Sequence, residues 1–168
     1  MRRLEPDRLN ARRRDRGGEG ARYEVLQPEY NLADRHDFKA GLAELCSREE
    51  IGVITYFSLA KGFLSGKYRS ESDLSKSPRG GGGSPSSAGL KVYLNPRGFR
   101  ILGALDRVAE EHKAKPAEIA LAWIMARPGV TAPISSATSV EQADSLVRAT
   151  ELSLSAADMK ALTEASAP

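Results

Sequence analysis

Two short stretches of this 168-residue chain hold residue types suited to binding phosphate groups. The first is Ser58-Leu-Ala-Lys-Gly-Phe-Leu-Ser-Gly66. Its small residues allow backbone N–H groups to approach an anion closely, and Gly62 and Gly66 permit the backbone angles such a cradle needs. Lys67 adds a cation beside it. The second stretch, Ser135, Ser136, Ala137, Thr138 and Ser139, lies just before a predicted helix. A helix N-terminus favours negative charge, and the hydroxyls add donors. Ser139 with Gln142 also reads as a capping box. Two more polar groups stand at the ends of predicted strands. Gln27 precedes Pro28, and Tyr56 lies near the end of an apolar run, where a tyrosine taken alone would be a core residue.

Other reactive residue types point away from chemistry. His36 and His112 are far apart and have no cysteine or carboxylate at ligand spacing, so they read as surface histidines and no metal site is expected. Asp106, Glu110 and Glu111 read as a solvated helix face, not as paired catalytic acids. Cys46 falls on an apolar helical face and is expected in the core. One cysteine excludes an internal disulfide and suits a reducing compartment. With no apolar leader segment at the N-terminus, a cytoplasmic protein is expected. No apolar run reaches the ~18 residues of a membrane span. Residues 1–20 hold seven arginines against four acidic residues, a balance of +3 that equals the net charge of the whole chain. The basic character therefore belongs to this segment. No aromatic or motif partner accompanies it, so nucleic acid is not expected as a partner.

The elements that must position these residues follow from periodicity. Residues 1–21 offer too few apolar side chains to offset ordering entropy and are expected to form a disordered basic tail. The rest, 22–168, reads as one domain. A strand is predicted over Tyr23–Gln27. Asp37 is placed to cap a helix whose buried face is Phe38, Leu42, Leu45 and Cys46. Gly52 to Phe57 is nearly continuously apolar, as in a strand covered on both faces. Residues 69–97, with Gly80 to Gly83 and many serines, read as a long mobile loop. Helical spacing resumes through Phe99, Ile101, Leu102, Leu105, Val108 and Ala109. Pro116 opens another helix, apolar around most of its circumference at Ile119, Ala120, Leu121, Trp123, Ile124 and Met125. A strand is predicted over Thr131–Ser135. Two capped helices follow, the first burying Ala143, Leu146 and Val147, the second starting at Ser155 with Asp158 and burying Met159 and Leu162. Strands alternating with helices imply an α/β fold with parallel pairing. Three such strands leave both sheet edges open, which hints that they are part of a larger sheet.

Three segments, in order, resemble the last three strand-helix units of the aldo-keto reductase barrel. They are Tyr23-Glu-Val-Leu-Gln-Pro-Glu-Tyr-Asn-Leu32, Val53-Ile-Thr-Tyr-Phe-Ser-Leu-Ala-Lys-Gly-Phe-Leu-Ser-Gly-Lys-Tyr68 and Pro133-Ile-Ser-Ser-Ala-Thr-Ser-Val-Glu-Gln142. Pro116 to Arg127 is similar to the family's helix before the last strand. The resemblance runs from about Arg22 to the end and implies a partial (β/α)8 TIM barrel whose ligand site lies at the C-terminal ends of the strands.

The resemblance also implies an NADP(H) site. Gln27 would bind the nicotinamide carboxamide and Tyr56 would stack beneath the ring. Ser58, Leu59, Gly62, Leu64, Gly66 and Lys67 would surround the pyrophosphate. Ser136, Ala137 and Thr138 would hold the adenosine 2′-phosphate, and Gln142 would reach the adenine. The family often places a cation near that phosphate, where this chain has neutral side chains. Many relatives carry Asn where this chain has Leu146. The family's proton donor is a tyrosine supported by a lysine, an aspartate and a histidine from its first four strands. No segment here matches those motifs, so no catalytic residue is assigned. Hydride transfer between NADPH and an aldehyde or ketone is the activity the family implies, with the carbonyl substrate bound only if the missing half is supplied. The other readings are a truncated, catalytically inactive nucleotide-binding module and a non-functional fragment.

Overall fold

The structure, a computed structural model, describes residues 23–39, 41–76 and 89–168. The expected basic tail, and the glycine-rich centre of the 69–97 stretch, lie outside the described residues. Strands β1 (Val25–Leu26), β2 (Gly52–Thr55) and β3 (Ala132–Pro133) form one three-stranded sheet in chain order. All pairing is parallel, with Val25 opposite Gly52 and Leu26 opposite Val53, then Ile54 opposite Ala132 and Thr55 opposite Pro133. A parallel bridge between Glu29 and Tyr56 carries the β1–β2 contact past the strand ends. The strands are shorter than the apolar runs suggest. β2 also buries Val53 and Thr55 while Gly52 and Ile54 stay half-buried. Its pattern is therefore an alternation, and the expectation of full cover on both faces is corrected.

The helix expected after Asp37 is two helices, α1 (His36–Lys39) and α2 (Leu42–Arg48). Gly41, at φ 82°, separates them and stands at the N-terminus of α2 without a side-chain cap. Asp37 falls inside α1 instead of capping it. The expected face survives this break, with Phe38, Leu42, Leu45 and Cys46 all buried.

Helix α3 (Pro96–Glu111) starts before the apolar spacing shows it. Asn95 caps it by accepting from the Gly98 N–H at 2.9 Å, and Pro96 fills the first turn, where no N–H partner is needed. Gly98 sits under the preceding turn, where an added Cβ would lie 1.8 Å from the Tyr93 carbonyl oxygen. Helix α4 (Pro116–Met125) is buried around most of its girth and packs against α3, the next helix and the turn at 60–65. Trp123 is fully buried and stacks on Tyr30 with centroids 5.7 Å apart.

Helices α5 (Val140–Glu151) and α6 (Ala156–Ala165) start at Ser139 and Ser155 as expected. The face of α5 differs from the reading. Ser145 and Ala149 are buried, Leu146 is half-buried, and Ala143 and Val147 are exposed. The cause is a polar anchor to α4, described below. The described parts of 69–97 are built into the fold. A 3-10 turn at Glu71–Lys76 buries Leu74, and Leu90 and Tyr93 are core residues.

Candidate cofactor site

The site starts where β2 ends. The Thr55 and Ser58 side chains are both buried, with their hydroxyls 3.1 Å apart, and Ser58 also donates to the Thr55 carbonyl at 3.2 Å. Between them stands Tyr56, half-buried, its N–H bonded to the Pro28 carbonyl at 3.0 Å and its hydroxyl 3.4 Å from Glu29 Oε2. Phe57, Ala60 and Lys61 all adopt positive φ (50°, 48° and 58°) although none is glycine. Gly62 follows at 96°. Non-glycine residues pay for such angles in strain, and runs of them mark loops shaped for a purpose. The result is a 3-10 turn over Ala60–Ser65, broken at Lys61 and Gly62 and closed by Gly66 at φ 80°.

Two ammonium groups flank this turn. Lys61 Nζ lies 5.5 Å from the Phe57 ring centroid and Lys67 Nζ lies 5.0 Å from that of Tyr68. An added Cβ on Gly62 would be 3.7 Å from Lys67 Nζ, so the exposed Lys67 folds back over the glycine. Sequence reasoning singled out Lys67 and passed over Lys61. It also read Asp106 as merely solvated. Asp106 instead takes two 2.7 Å bonds from Arg69, whose Nε donates to the Gly66 carbonyl at 2.7 Å, tying the end of the turn to α3.

The second part of the site lies between β3 and α5. Ser136, Ala137, Thr138 and Ser139 are exposed. Ser139 accepts from the Gln142 N–H at 3.2 Å. The Gln142 side chain does not close the expected box on Ser139. Its Oε1 accepts instead from the Thr138 N–H at 2.9 Å and the Thr138 hydroxyl at 3.1 Å. The two Thr138 donors thus already converge on one oxygen. Two donors converging in this way also suit an anionic oxygen.

A buried carboxylate holds this end in place. Glu118 of α4 is 2% exposed. It accepts from Ser145 Oγ at 2.5 Å, Arg148 Nε at 3.1 Å, Arg148 Nη2 at 2.9 Å and the Lys115 N–H at 2.9 Å. Burial pushes its carboxyl up, but these bonds outweigh burial and hold it below the ordinary value. This anchor turns Ser145 inward and leaves Val147 outside. Ser145 and Arg148 lie 27 and 30 residues from it in the chain, beyond any local sequence signal.

Gln27 is exposed just past β1. Because Leu26 pairs with Val53, Gln27 is level with Ile54, two residues short of Tyr56. That is an offset of roughly 6–7 Å along the sheet. All three strands are parallel, so Gln27, Tyr56 and the 135–139 segment leave the sheet at the same end. Two expected contacts have other duties: the Leu64 side chain is fully buried in the core, and the Ser58 hydroxyl is held by Thr55. Leu59, Gly62 and Gly66 are half-buried along the loop. His112, expected as a surface histidine, is half-buried and bonds Asp158 at 3.0 Å. Among the described residues no group of three or more His, Cys, Asp or Glu could hold a metal. Nor, among them, is any helix long and apolar enough to cross a membrane.

Comparison with known proteins places the fold. The family model "Aldo/keto reductase family" matches residues 16–167, beginning somewhat before Arg22. An uncharacterized oxidoreductase of Mycobacterium tuberculosis is 40% identical over 117 residues, covering 67% of this chain and 33% of that protein. A probable aldo-keto reductase of Glycine max is 27% identical over 147 residues, covering 84% and 39%. A probable voltage-gated potassium channel subunit beta of Arabidopsis thaliana is 30% identical over 135 residues, covering 76% and 38%. The chain thus spans between a third and two-fifths of the length of these relatives. The crystal structure of a thermostable aldo-keto reductase in complex with the inhibitor epalrestat superposes with a TM-score of 0.63 at 24% identity. That match covers 89% of this chain and 42% of the other, and it fixes the fold as a part similar to a TIM barrel. By its sequence, its parallel sheet and these matches, the chain belongs to the aldo/keto reductase family.

Proposed function

We propose that this chain binds NADP(H) along the C-terminal edge of its sheet. The observation that carries the reading is the shared exit of the three strand ends, with a strained positive-φ loop after β2 and a hydroxyl-rich helix start after β3. In this reading the loop from Ser58 to Gly66 lies along the pyrophosphate, with backbone contact at Leu59, Leu64 and Gly66. Gly62 leaves room for close approach, and Lys67 supplies charge. Tyr56 offers a ring face to the nicotinamide, and the Gln27 amide orients the carboxamide. Ser136, Ala137 and Thr138 receive the 2′-phosphate at the start of α5. Gln142 moves from Thr138 toward the adenine.

When bound, the dinucleotide supplies a hydride to an aldehyde or ketone. Reduction also needs a proton donor within hydrogen-bond reach of the carbonyl oxygen. The family takes that group from strands that this sequence does not match. The chain's own share is therefore to bind and orient the cofactor, in the reducing setting that a lone buried thiol, Cys46, suits.

Titration with NADPH and with NADH, followed by nicotinamide fluorescence, tests the reading. Saturable binding with NADPH favoured is expected, and absence of saturable binding to either ends it. NADPH oxidation that depends on an added carbonyl compound, catalysed by this chain alone, would show that the acid-base group is present after all.

A further inference from the structure

Asn31 lies just beyond β1, is fully buried and uses every polar group of its side chain. Its Oδ1 accepts from the N–H groups of Ala33 at 2.8 Å and Asp34 at 2.9 Å. Its Nδ2 donates to Asp34 Oδ2 at 3.1 Å and, across 26 residues, to the Phe57 carbonyl at 3.0 Å. That carbonyl also receives the Ala60 N–H at 2.7 Å, the bond that closes the turn into the 3-10 segment. Phe57 holds φ at 50°, an angle a phenylalanine adopts only when its surroundings compel it. The neighbouring Tyr56 is fixed on its other side by the Pro28 carbonyl.

A second link reaches the same loop. Asp34 Oδ2 takes the Tyr93 hydroxyl at 2.7 Å, and the Tyr93 ring stacks on Phe63 with centroids 5.3 Å apart. Phe63 belongs to the turn over Ala60–Ser65. Asn31 and Asp34 therefore grip that loop at its entry, through Phe57, and in its middle, through Tyr93 and Phe63.

We propose that Asn31 is a positioning residue for the dinucleotide site: its amide sets the turn at Phe57, and so fixes where Tyr56 and the 58–66 loop stand. The link to a ligand rests on the function proposed above; the control of the loop does not. Asn31 touches neither the Ser136–Gln142 segment nor α5 in any hydrogen bond it makes. Its effect should therefore fall on the nicotinamide and pyrophosphate end alone.

The test uses Asn31→Ala, which removes the amide that donates to the Phe57 carbonyl, and Tyr93→Phe, which keeps the ring but cuts the Asp34 bond. Amide hydrogen exchange without ligand should quicken at Ala60 and Gly62 in both variants and stay unchanged in α4. NADPH affinity should fall about tenfold, the scale of one lost hydrogen bond, while affinity for adenosine 2′-monophosphate, which lacks the pyrophosphate and the nicotinamide, stays at the wild-type value. A purely structural role would weaken both ligands together, and that result overturns the proposal. So does unchanged exchange at Ala60 and Gly62. If Asn31→Ala fails to fold, Asn31→Ser, which keeps an acceptor oxygen but has no amide to donate to Phe57, decides the matter by the same readouts. A wild-type chain that binds neither ligand rejects the dinucleotide reading, while the exchange data still judge whether Asn31 controls the loop.

Discussion

Arg148 donates two hydrogen bonds to a single carboxylate oxygen of Glu118, from Nε at 3.1 Å and from Nη2 at 2.9 Å. The same oxygen receives Ser145 Oγ, and the other oxygen receives the Lys115 N–H. Glu118 thereby holds α5, with the proposed phosphate end of the site, against α4. Removing one partner of a buried ion pair leaves the other uncompensated, at a typical cost of about 3–5 kcal/mol. Arg148 is half-exposed and can turn to water, so the lower end applies. Glu118→Ala is expected to destabilise the chain by about 3 kcal/mol in urea unfolding. A loss below about 0.5 kcal/mol, the range of an ordinary surface substitution, would show that the anchor is ornamental.

The same carboxylate makes stability depend on acid. The Glu118 carboxyl is held below its ordinary 4.5, since its hydrogen bonds outweigh burial. Asp158 is likewise held below 3.8, burial being outweighed by bonds from His112 and Ser155. Groups depressed on folding stabilise above their unfolded values and lose that contribution as pH falls toward the folded ones. Urea midpoints should therefore be flat from pH 6 to about 5 and fall below about 4.5. Glu118→Gln should show a shallower decline. An equal decline in that variant would assign the acid sensitivity elsewhere.

Gly98 offers a case where local propensity and packing oppose each other. Alanine in a helix gains roughly 1 kcal/mol over glycine. Here, however, the added Cβ would lie 1.8 Å from the Tyr93 carbonyl oxygen and 3.0 Å from Phe63 Cζ. Backbone cannot yield as a side-chain tip can, and overpacking costs about 1–3 kcal/mol or more. Gly98→Ala should lower the melting temperature. A rise would mean that α3 starts elsewhere.

Tyr56→Ala tests the ring platform. An aromatic pair contributes about 0.5–1.5 kcal/mol beyond area burial, so NADPH affinity should drop about tenfold. Binding of 2′,5′-ADP, which lacks the nicotinamide, should not change. Equal losses for both ligands would place Tyr56 in the core and not beneath the ring.

Much of this fold is legible in the residues. The buried face of Phe38, Leu42, Leu45 and Cys46, the Pro116 start of α4 and the Ser139 and Ser155 caps follow from spacing and local chemistry, which act within a few residues. What was not legible depends on distant partners. At Gly41 one left-handed residue redirects the chain and splits the predicted helix in two. The burial of Leu90 and Tyr93 within a glycine- and serine-rich stretch comes from the core they return to, not from their neighbours. Val147 reads as a core residue by spacing, yet it is 60% exposed because Glu118 decides which face of α5 turns inward. For the candidate site, the sequence indicated the Gly62 loop and the serines at the start of α5. It gave no sign of the Asn31–Phe57 bond or of Arg69 tying Gly66 to Asp106.

The most direct measurement is thermal unfolding of the whole chain with increasing NADPH. A ligand that binds only the folded state stabilises it by RT ln(1 + [L]/Kd), about 2.7 kcal/mol at a hundredfold excess over Kd. The account predicts one cooperative transition whose midpoint climbs with NADPH concentration along that curve. A cooperative transition whose midpoint ignores NADPH contradicts it, and so does a chain with no cooperative transition at all.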